Sequence, residues 1–166
     1  PAVIGDALKY FIDTKKKKLL IPSFIKKFNR IKDINIAACG TSYHASLIGK
    51  YWLEKYANIK TEVNIASEFR YRNIINNKNS LSVLLSQSGE TADTLAVLRY
   101  FNQKQNKTLG IINSSESSIA RESNIIIETH AGPEIGVAST KAFTTQLIAL
   151  GALTLFMANF NKTISK

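Results

Sequence analysis

A run of hydroxyl and amide side chains around one glycine lies in the middle of the chain and reads Ser86-Gln87-Ser88-Gly89-Glu90-Thr91. An apolar run, 81–85, precedes it, and a helix-like run, 92–103, follows it. This order predicts a strand, a tight turn and a helix start, where unpaired amide groups and the helix dipole attract anions. We therefore predict a phosphate site at this turn. It differs from a nucleotide P-loop, because no Gly-Lys-Ser/Thr follows.

Apolar strand-like segments alternate with helix-like segments along most of the chain. Such alternation indicates parallel strands joined by right-handed crossovers, and wholly apolar strands indicate a sheet covered on both faces. The sequence therefore predicts an α/β fold, a three-layer α/β/α sandwich with a five-stranded parallel sheet. The predicted strands are 34–38, 61–66, 81–85, 108–112 and 124–128, and the predicted helices are 41–57, 67–73, 92–103 and 141–159.

Residues 1–31 precede the alternating pattern. Residues 2–28 predict a helical lead-in that is interrupted near Pro22 and Ser23. We therefore predict a lead-in or linker over 1–31 and a single domain over 32–166. The longest apolar region, 147–158, falls short of the roughly 20 residues of a membrane helix, so it predicts a buried helix and no membrane partner.

The net charge of +10 is spread over the chain, with one dense run at Lys15-Lys16-Lys17-Lys18. A dispersed charge favours a solvated basic surface over a nucleic-acid site, so no nucleic-acid partner is predicted. The single cysteine, Cys39, excludes an internal disulfide framework, and the absence of a signal-peptide pattern agrees with a reducing, cytoplasmic location. The two histidines, His44 and His130, lack the spacing of a metal-ligand pair, so no metal site is predicted.

Ligands of open parallel sheets bind beyond the carboxyl ends of the strands. Four polar segments follow predicted strands there: 39–42, 86–91, 113–118 and 136–140. Any one of them alone is typical of an ordinary helix cap. Because at least three are expected to face one crevice, and because their glycines allow close backbone approach, together they favour a binding site.

Several of these segments carry a family resemblance. They read Cys39-Gly40-Thr41-Ser42, Ser86-Gln87-Ser88-Gly89-Glu90-Thr91 and Glu134-Ile135-Gly136-Val137-Ala138-Ser139-Thr140-Lys141-Ala142-Phe143-Thr144, with Ala66-Ser67-Glu68-Phe69-Arg70-Tyr71-Arg72 between them. Together they resemble the sugar isomerase (SIS) domain from residue 34 to about residue 150. They are most similar to the first of the two SIS domains in the glutamine–fructose-6-phosphate aminotransferase family, the glucosamine-6-phosphate synthases. The resemblance implies the flavodoxin-like SIS fold.

The same resemblance implies a site for fructose 6-phosphate or glucosamine 6-phosphate. We expect no cofactor. The family's phosphate-binding positions match Ser42, Ser86, Gln87, Ser88 and Thr91. Its positions around the sugar match Cys39, Thr41, Val137 and Ser139. The role of Val137, through its backbone, rests wholly on the resemblance. We interpret Lys141, just beyond, as a solvated lysine at a helix start.

The resemblance also implies an enzyme that takes ammonia from glutamine, delivers it to the ketose phosphate and isomerises the product. In the family, a glutaminase domain with an N-terminal cysteine releases the ammonia. A glutamate, lysines and a histidine associated with the second SIS domain move the protons, the histidine reaching in from a partner subunit. This chain starts at Pro1 and shows none of these segments. We therefore interpret it as a fragment that binds the phosphosugar without turnover and holds none of the catalytic residues. Its expected partners are the second SIS domain, the glutaminase domain and a second subunit in a homodimer.

Local residues offer weaker candidates for a base. Glu90 lies in the phosphate turn, where we expect it to favour the helix N-terminus, and Glu134 lies in the last loop. We interpret His44 as structural or interfacial and His130 as solvated.

Two other functions stay open. The first is a sugar-phosphate sensor attached to a DNA-binding module, which the basic charge favours, although 1–31 shows no clear helix-turn-helix. The second is a stand-alone phosphosugar isomerase that carries its own base and works as an oligomer. Salt-sensitive binding of duplex DNA would indicate the sensor, and activity on pentose or hexose phosphates would indicate the isomerase.

Overall fold

A computed structural model of the 166-residue chain describes residues 2–28, 30–69, 71–72, 77, 79–132 and 140–164. The elements before the main sheet are α1 (Ala2–Lys9), β1 (Ile12–Asp13), β2 (Lys18–Leu19) and a 3₁₀ helix (Ser23–Phe28). The strands of the main sheet are β3 (Asp33–Ala38), β4 (Lys60–Ile65), β5 (Ser80–Ser86), β6 (Lys107–Ile112) and β7 (Ile125–Glu128). The helices between and after them are α2 (Gly40–Ala57), α3 (Ala66–Phe69), α4 (Ala92–Gln103), α5 (Ser118–Glu122) and α6 (Thr140–Asn161).

The strands β3 to β7 form one parallel sheet in the order β4-β3-β5-β6-β7, which confirms the predicted five-stranded parallel sheet. The chain runs from β3 outward to β4 and then returns to place β5 on the other side of β3. At this reversal, Ala38 at the end of β3 pairs with Leu85 near the end of β5. Because ligands bind outside the carboxyl ends of strands at such a reversal, the topology places a crevice between β3 and β5.

Apolar side chains cover both faces of the sheet. On one face, the lead-in, α2 and α6 pack together with sheet residues such as Ile36, and Phe156 is fully buried there. On the other face, α3, α4 and α5 pack around Phe101. Successive residues of β5 divide between the two cores, Val83 joining the first and Leu84 the second, as the pleat of a strand requires. The predicted three-layer sandwich is confirmed.

Helix α6 has 22 residues and is long and apolar enough to cross a membrane by length and composition alone. In the fold, 56% of its apolar window is buried. Leu150, Leu153 and Phe156 are fully buried against α2 and the sheet. Burial of this kind is typical of a core helix, and it confirms the buried helix predicted over 147–158.

The lead-in is only partly helical, which corrects the prediction over 2–28. Between α1 and the 3₁₀ helix, β1 and β2 pair as an antiparallel hairpin. The Asp13 carboxylate accepts the N–H groups of Lys15 and Lys16 at 3.1 and 3.0 Å. Bonds from a side chain to nearby backbone favour a turn over a helix. Phe11, 6% exposed, joins the core on the α6 face, so the lead-in packs on the sheet domain.

The sequence prediction misses α5, which begins where the predicted polar turn 113–118 ends. The Ser117 side chain caps this helix by accepting the N–H of Ala120 at 3.3 Å. Five residues are too few for a helical period to show in the sequence. The predicted helix 67–73 is observed as α3 over its first part, and residues 71–72 form a turn and a bend.

Candidate functional site

Two polar segments follow the neighbouring strands at the crevice. Residues 39–42 follow β3, and residues 86–91 comprise the end of β5 and the turn beyond it. Because Ala38 pairs with Leu85, and adjacent strands lie about 4.8 Å apart, the two segments start side by side at one edge of the sheet. The structure therefore brings the two predicted phosphate-binding segments together.

Hydrogen bonds inside the 86–91 turn arrange its hydroxyl groups. The Ser86 Oγ, 3% exposed, accepts the N–H of Gly89 at 3.1 Å and lies 3.0 Å from the Thr91 Oγ1. The Ser88 Oγ accepts the N–H of Glu90 at 3.1 Å. A serine that accepts an N–H keeps its own hydrogen to donate. Ser88 is exposed, so it presents a hydroxyl donor on the outside of the turn.

In the described part of the chain, no side chain caps the start of helix α4. Thr91 holds the N-cap position, with φ −62° and ψ 114°, but its side chain makes no capping hydrogen bond. The first N–H groups of a helix have no acceptor within the helix and carry partial positive charge. The interpretation of these hydroxyls as ordinary caps therefore does not describe Thr91, and the start of α4 keeps its donors for an anion.

The backbone of the turn is held against α5 and the end of β6. Gly89 has a φ of +69°, and a Cβ at this position would lie 2.1 Å from the Ser117 Oγ. Its carbonyl accepts the N–H of Ile119 at 3.0 Å, and the carbonyl of Gln87 accepts the N–H of Asn113 at 3.2 Å. The left-handed φ and the close approach both require glycine here. The predicted residue Gln87 is half-buried in this arrangement.

Glu90 is engaged by α5. Its Oε1 accepts the N–H of Ser118 at 2.8 Å, and this hydrogen bond lowers the pKa of Glu90 below its ordinary value. The carboxylate therefore stays ionised at neutral pH, at a helix end where negative charge is favoured. The expected interaction with a helix N-terminus is observed at α5 rather than at α4. A carboxylate held in this way is a poor candidate for the general base.

Ser42 lies in the first turn of α2 and is 7% exposed. Its Oγ accepts a hydrogen bond from the Gln146 Nε2 at 2.9 Å. Cys39, at the N-cap of α2, makes no side-chain capping bond. Gly40 has a φ of +55°, and no described atom lies within 4 Å of where its Cβ would be. Among the residues that the structure describes, the start of α2 is therefore a second helix N-terminus at the crevice without a side-chain cap.

Sequence reasoning misses Gln146, which is 1% exposed on α6. Its partner Ser42 lies 104 positions away in the sequence, so no local pattern links the two. The available signal is the residue type, because a glutamine within an apolar helical run is rarely buried without a role.

Two of the four predicted sugar-binding residues lie in the described part of the chain. Cys39 is a half-buried free thiol, and Thr41 is exposed in the first turn of α2. The other predicted residues of the last loop, Val137, Ser139 and Glu134, lie outside the described residues. Their roles stay predictions.

The two histidines and Lys141 lie in different environments. His44 is exposed on α2, and Lys141 is exposed in the first turn of α6. His130 is not simply solvated, which corrects that interpretation: its ring stacks on Tyr10 of the lead-in at a centroid distance of 3.5 Å. Burial lowers the pKa of His130, and Glu128, 3.9 Å away, opposes this shift. Among the described residues, no group of three His, Cys, Asp or Glu side chains has a geometry that would hold a metal ion.

Comparisons with known proteins identify the family of the chain. Residues 27–156 match the SIS domain family. A glutamine–fructose-6-phosphate aminotransferase (isomerizing) from Rhizobium meliloti (strain 1021) is 47% identical over 165 residues, which cover 99% of this chain and 27% of that protein. A protein of the same name from Clostridium tetani (strain Massachusetts / E88) is also 47% identical, over 98% of this chain and 28% of its own length.

Solved structures give the same result. The C-terminal domain of glucosamine-fructose-6-phosphate aminotransferase from Francisella tularensis matches with a TM-score of 0.94 and 44% identity. The match covers 100% of this chain and 47% of that one. The chain thus spans little more than a quarter, 27–28%, of the length of these curated relatives.

Proposed function

The chain belongs to the SIS domain family, and we propose that it is the phosphosugar-binding half of the isomerase module of a glutamine–fructose-6-phosphate aminotransferase. Such an enzyme makes glucosamine 6-phosphate from fructose 6-phosphate and glutamine. One observation carries the proposal: the uncapped N-termini of α2 and α4 follow neighbouring strands, with hydroxyl side chains beside both. Similarity to relatives of that name over nearly the whole chain supports it.

Hydroxyl and amide groups at helix N-termini are suitable hydrogen-bond donors for the phosphate group of the ligand. The proposed phosphate-binding residues are Ser42, Ser86, Gln87, Ser88 and Thr91. Hydrogen bonds to a charged acceptor contribute about 1.5–3 kcal/mol each, so several of them hold a dianion together with the helix N-termini. Cys39, Thr41, Val137 and Ser139 are proposed to contact the sugar, as the family resemblance implies.

The chemical steps are proposed to depend on other parts of the protein. The chain spans 27% of its relative from Rhizobium meliloti, and Glu90 is engaged by Ser118 rather than available as a base. Residues 1–166 would bind and orient the phosphosugar, and would not turn it over alone. A second SIS domain would supply the acid and base groups, and a glutaminase domain would supply ammonia. No cofactor enters this proposal.

The proposed partners would cover an apolar surface of α1, α2 and α6. A cavity of about 290 Å³ lies between these helices and the lead-in hairpin, and most of its lining side chains are apolar, among them Ile4, Trp52 and Leu155. Ile4 is 41% exposed. Because exposed apolar patches mark partner surfaces, a second SIS domain or the second subunit of a homodimer is proposed here. A cytoplasmic location is proposed because Cys39 is a free thiol.

Calorimetric titration tests the binding proposal. The chain should bind fructose 6-phosphate and glucosamine 6-phosphate, and fructose is the matched control without a phosphate. Ser88→Ala should weaken binding of both hexose phosphates by about tenfold, because a hydrogen bond to a charged oxygen is lost. Equal affinity for fructose and fructose 6-phosphate, or unchanged affinity in Ser88→Ala, would contradict the proposal.

A coupled assay tests the proposed division of the chemistry. The chain alone should form no glucosamine 6-phosphate from fructose 6-phosphate with glutamine or ammonia. Measurable product would favour a stand-alone isomerase with its own base. The DNA-binding sensor lacks support in the described lead-in, which contains no helix-turn-helix. A salt-sensitive gel shift with duplex DNA would nevertheless favour it.

A further inference from the structure

Buried side chains hold Ser42 at two points. The Ser46 hydroxyl donates to the backbone carbonyl of Ser42 at 2.8 Å. The Gln146 Nε2, on α6, donates to the Ser42 Oγ at 2.9 Å. Gln146 is 1% exposed and Ser42 is 7% exposed, so the second bond is shielded from water. Both the backbone and the hydroxyl of Ser42 are therefore fixed before any ligand binds.

The direction of the second bond decides what Ser42 offers to a ligand. A serine hydroxyl has one hydrogen and two lone pairs, whereas an amide nitrogen can only donate. Because the Gln146 Nε2 occupies a lone pair of the Ser42 Oγ, the single hydrogen of Ser42 remains to be donated elsewhere. A hydroxyl that accepts one hydrogen bond is polarised and becomes a stronger donor. A phosphate oxygen is an acceptor and requires such a donor.

Packing alone does not explain a glutamine at this position. In the part of the chain that the structure describes, the buried Gln146 Oε1 has no hydrogen-bond partner. An unpaired buried oxygen disfavours folding, and an apolar side chain of the same length would avoid it. The next turns of α6 bury apolar residues such as Ala149 and Leu150. Departures of this kind from a satisfied core are expected at functional sites.

We propose that Gln146 is a positioning residue of the phosphate site, which holds the Ser42 hydroxyl as a donor to an oxygen of the bound phosphate. The inference rests on the proposed function, because it takes Ser42 as a phosphate-binding residue. Gln146 acts through Ser42 and does not itself touch the ligand.

A double-mutant cycle on phosphate affinity tests this role. The native chain, Ser42→Ala, Gln146→Met and the double variant are titrated with inorganic phosphate, and binding is followed by amide chemical shifts of the 86–91 turn. Methionine keeps the length of glutamine and removes both polar atoms. Thr145→Val is the matched control, because the Thr145 hydroxyl bonds to carbonyls of its own helix, at 3.1 Å.

Ser42→Ala is expected to weaken phosphate binding by about tenfold, and Gln146→Met by about fivefold, while Thr145→Val leaves it unchanged. In the Ser42→Ala background, Gln146→Met should change affinity by less than about twofold, because its effect passes through the missing hydroxyl. The melting temperature of Gln146→Met should equal or exceed that of the native chain, since the unpaired oxygen is gone.

Several results would overturn the inference. Native phosphate affinity in Gln146→Met, with a loss in Ser42→Ala, refutes the positioning role alone. An equal loss from Gln146→Met in both backgrounds shows that it does not act through Ser42. If both Gln146→Met and Gln146→Leu fail to fold, the glutamine is structural and the inference is wrong. Unchanged phosphate affinity in Ser42→Ala also refutes the inference, because Ser42 would then not donate to the phosphate. Unchanged affinity in Ser88→Ala is a different failure, because it refutes the proposed function.

Discussion

Replacing Gly89 with alanine adds one methyl group at the closest contact of the 86–91 turn. The new Cβ would lie 2.1 Å from the Ser117 Oγ and 2.5 Å from the Ser117 Cβ. Neither distance is compatible with van der Waals radii, so the turn or Ser117 must move. Ser117 caps α5 through the N–H of Ala120, and the carbonyl of Gly89 accepts the N–H of Ile119. Either movement therefore weakens a native hydrogen bond.

Two separable terms set the expected loss of stability in Gly89→Ala. The left-handed backbone at Gly89, with a φ of +69°, disfavours any residue with a Cβ by about 1–2 kcal/mol. Overlap with Ser117 adds about 1–3 kcal/mol, whether as strain or as a lost cap. We expect the free energy of unfolding to fall by about 2–5 kcal/mol. Phosphate affinity should fall as well, because the hydroxyls of the turn would be displaced.

Urea unfolding followed by circular dichroism measures these terms. Gly132→Ala is the matched control, because Gly132 also has a φ of +69° and no described atom lies within 4 Å of its Cβ position. It should lose only the backbone term, about 1–2 kcal/mol. Ser117→Gly in the Gly89→Ala background should recover the overlap term, since glycine is a tolerable N-cap. Equal losses in Gly89→Ala and Gly132→Ala, or no recovery with Ser117→Gly, would refute the reasoning.

Three further changes are expected to have measurable effects. Thr91→Ala should weaken fructose 6-phosphate binding in calorimetry. In urea unfolding it should cost less stability than Ser117→Ala, which should cost about 1 kcal/mol, because Ser117 makes a capping bond and Thr91 does not. A larger loss of stability in Thr91→Ala than in Ser117→Ala would contradict this. The folded protein lowers the pKa of Glu90 below its ordinary value of 4.5. The ionised carboxylate therefore stabilises the fold at pH values above 4.5, and this stabilisation is lost as the pH falls through the lower folded pKa. Native and Glu90→Gln chains, melted at about pH 7 and about pH 3, should therefore show a larger acid-dependent loss in the native chain, and equal losses would contradict this. Tyr10→Ala should raise the pKa of His130 toward its ordinary value of 6.5, because the stacked ring that buries it is removed; an NMR titration that shows no rise would contradict this.

The main sheet could be predicted from the sequence because its central strands, β3, β5 and β6, are buried on both faces. All seven residues of β5 are buried, including its three serines, so the strand has no polar face that alternates with an apolar one. The predicted strands lie within two residues of those observed. Turns that follow such strands must collect at one edge in any parallel sheet, which is why the phosphate turn could be predicted before the strand order was known.

Contacts between distant parts of the chain could not be predicted in this way. Tyr10 stacks on His130, which is far from it in the sequence, and Gln146 reaches Ser42 from 104 positions away. Local periodicity contains no information about such pairs. The prediction of a helical lead-in was wrong for a different reason. The Asp13 carboxylate accepts hydrogen bonds from nearby N–H groups, and these bonds compete with a helix that the composition allows.

The two supports of the proposed phosphate site come from opposite faces of the sheet. The 86–91 turn rests on α5, which belongs to the core with Phe101, whereas Ser42 is held by Gln146 of α6, which belongs to the core with Phe156. The proposed donors are neutral, so their effect depends on direction more than on net charge. Substitutions that disturb the support from α5 or from Gln146 should therefore weaken phosphate binding without altering any residue that touches the phosphate. This is the reason that Gly89 and Gln146, rather than further hydroxyls, are the decisive positions to change.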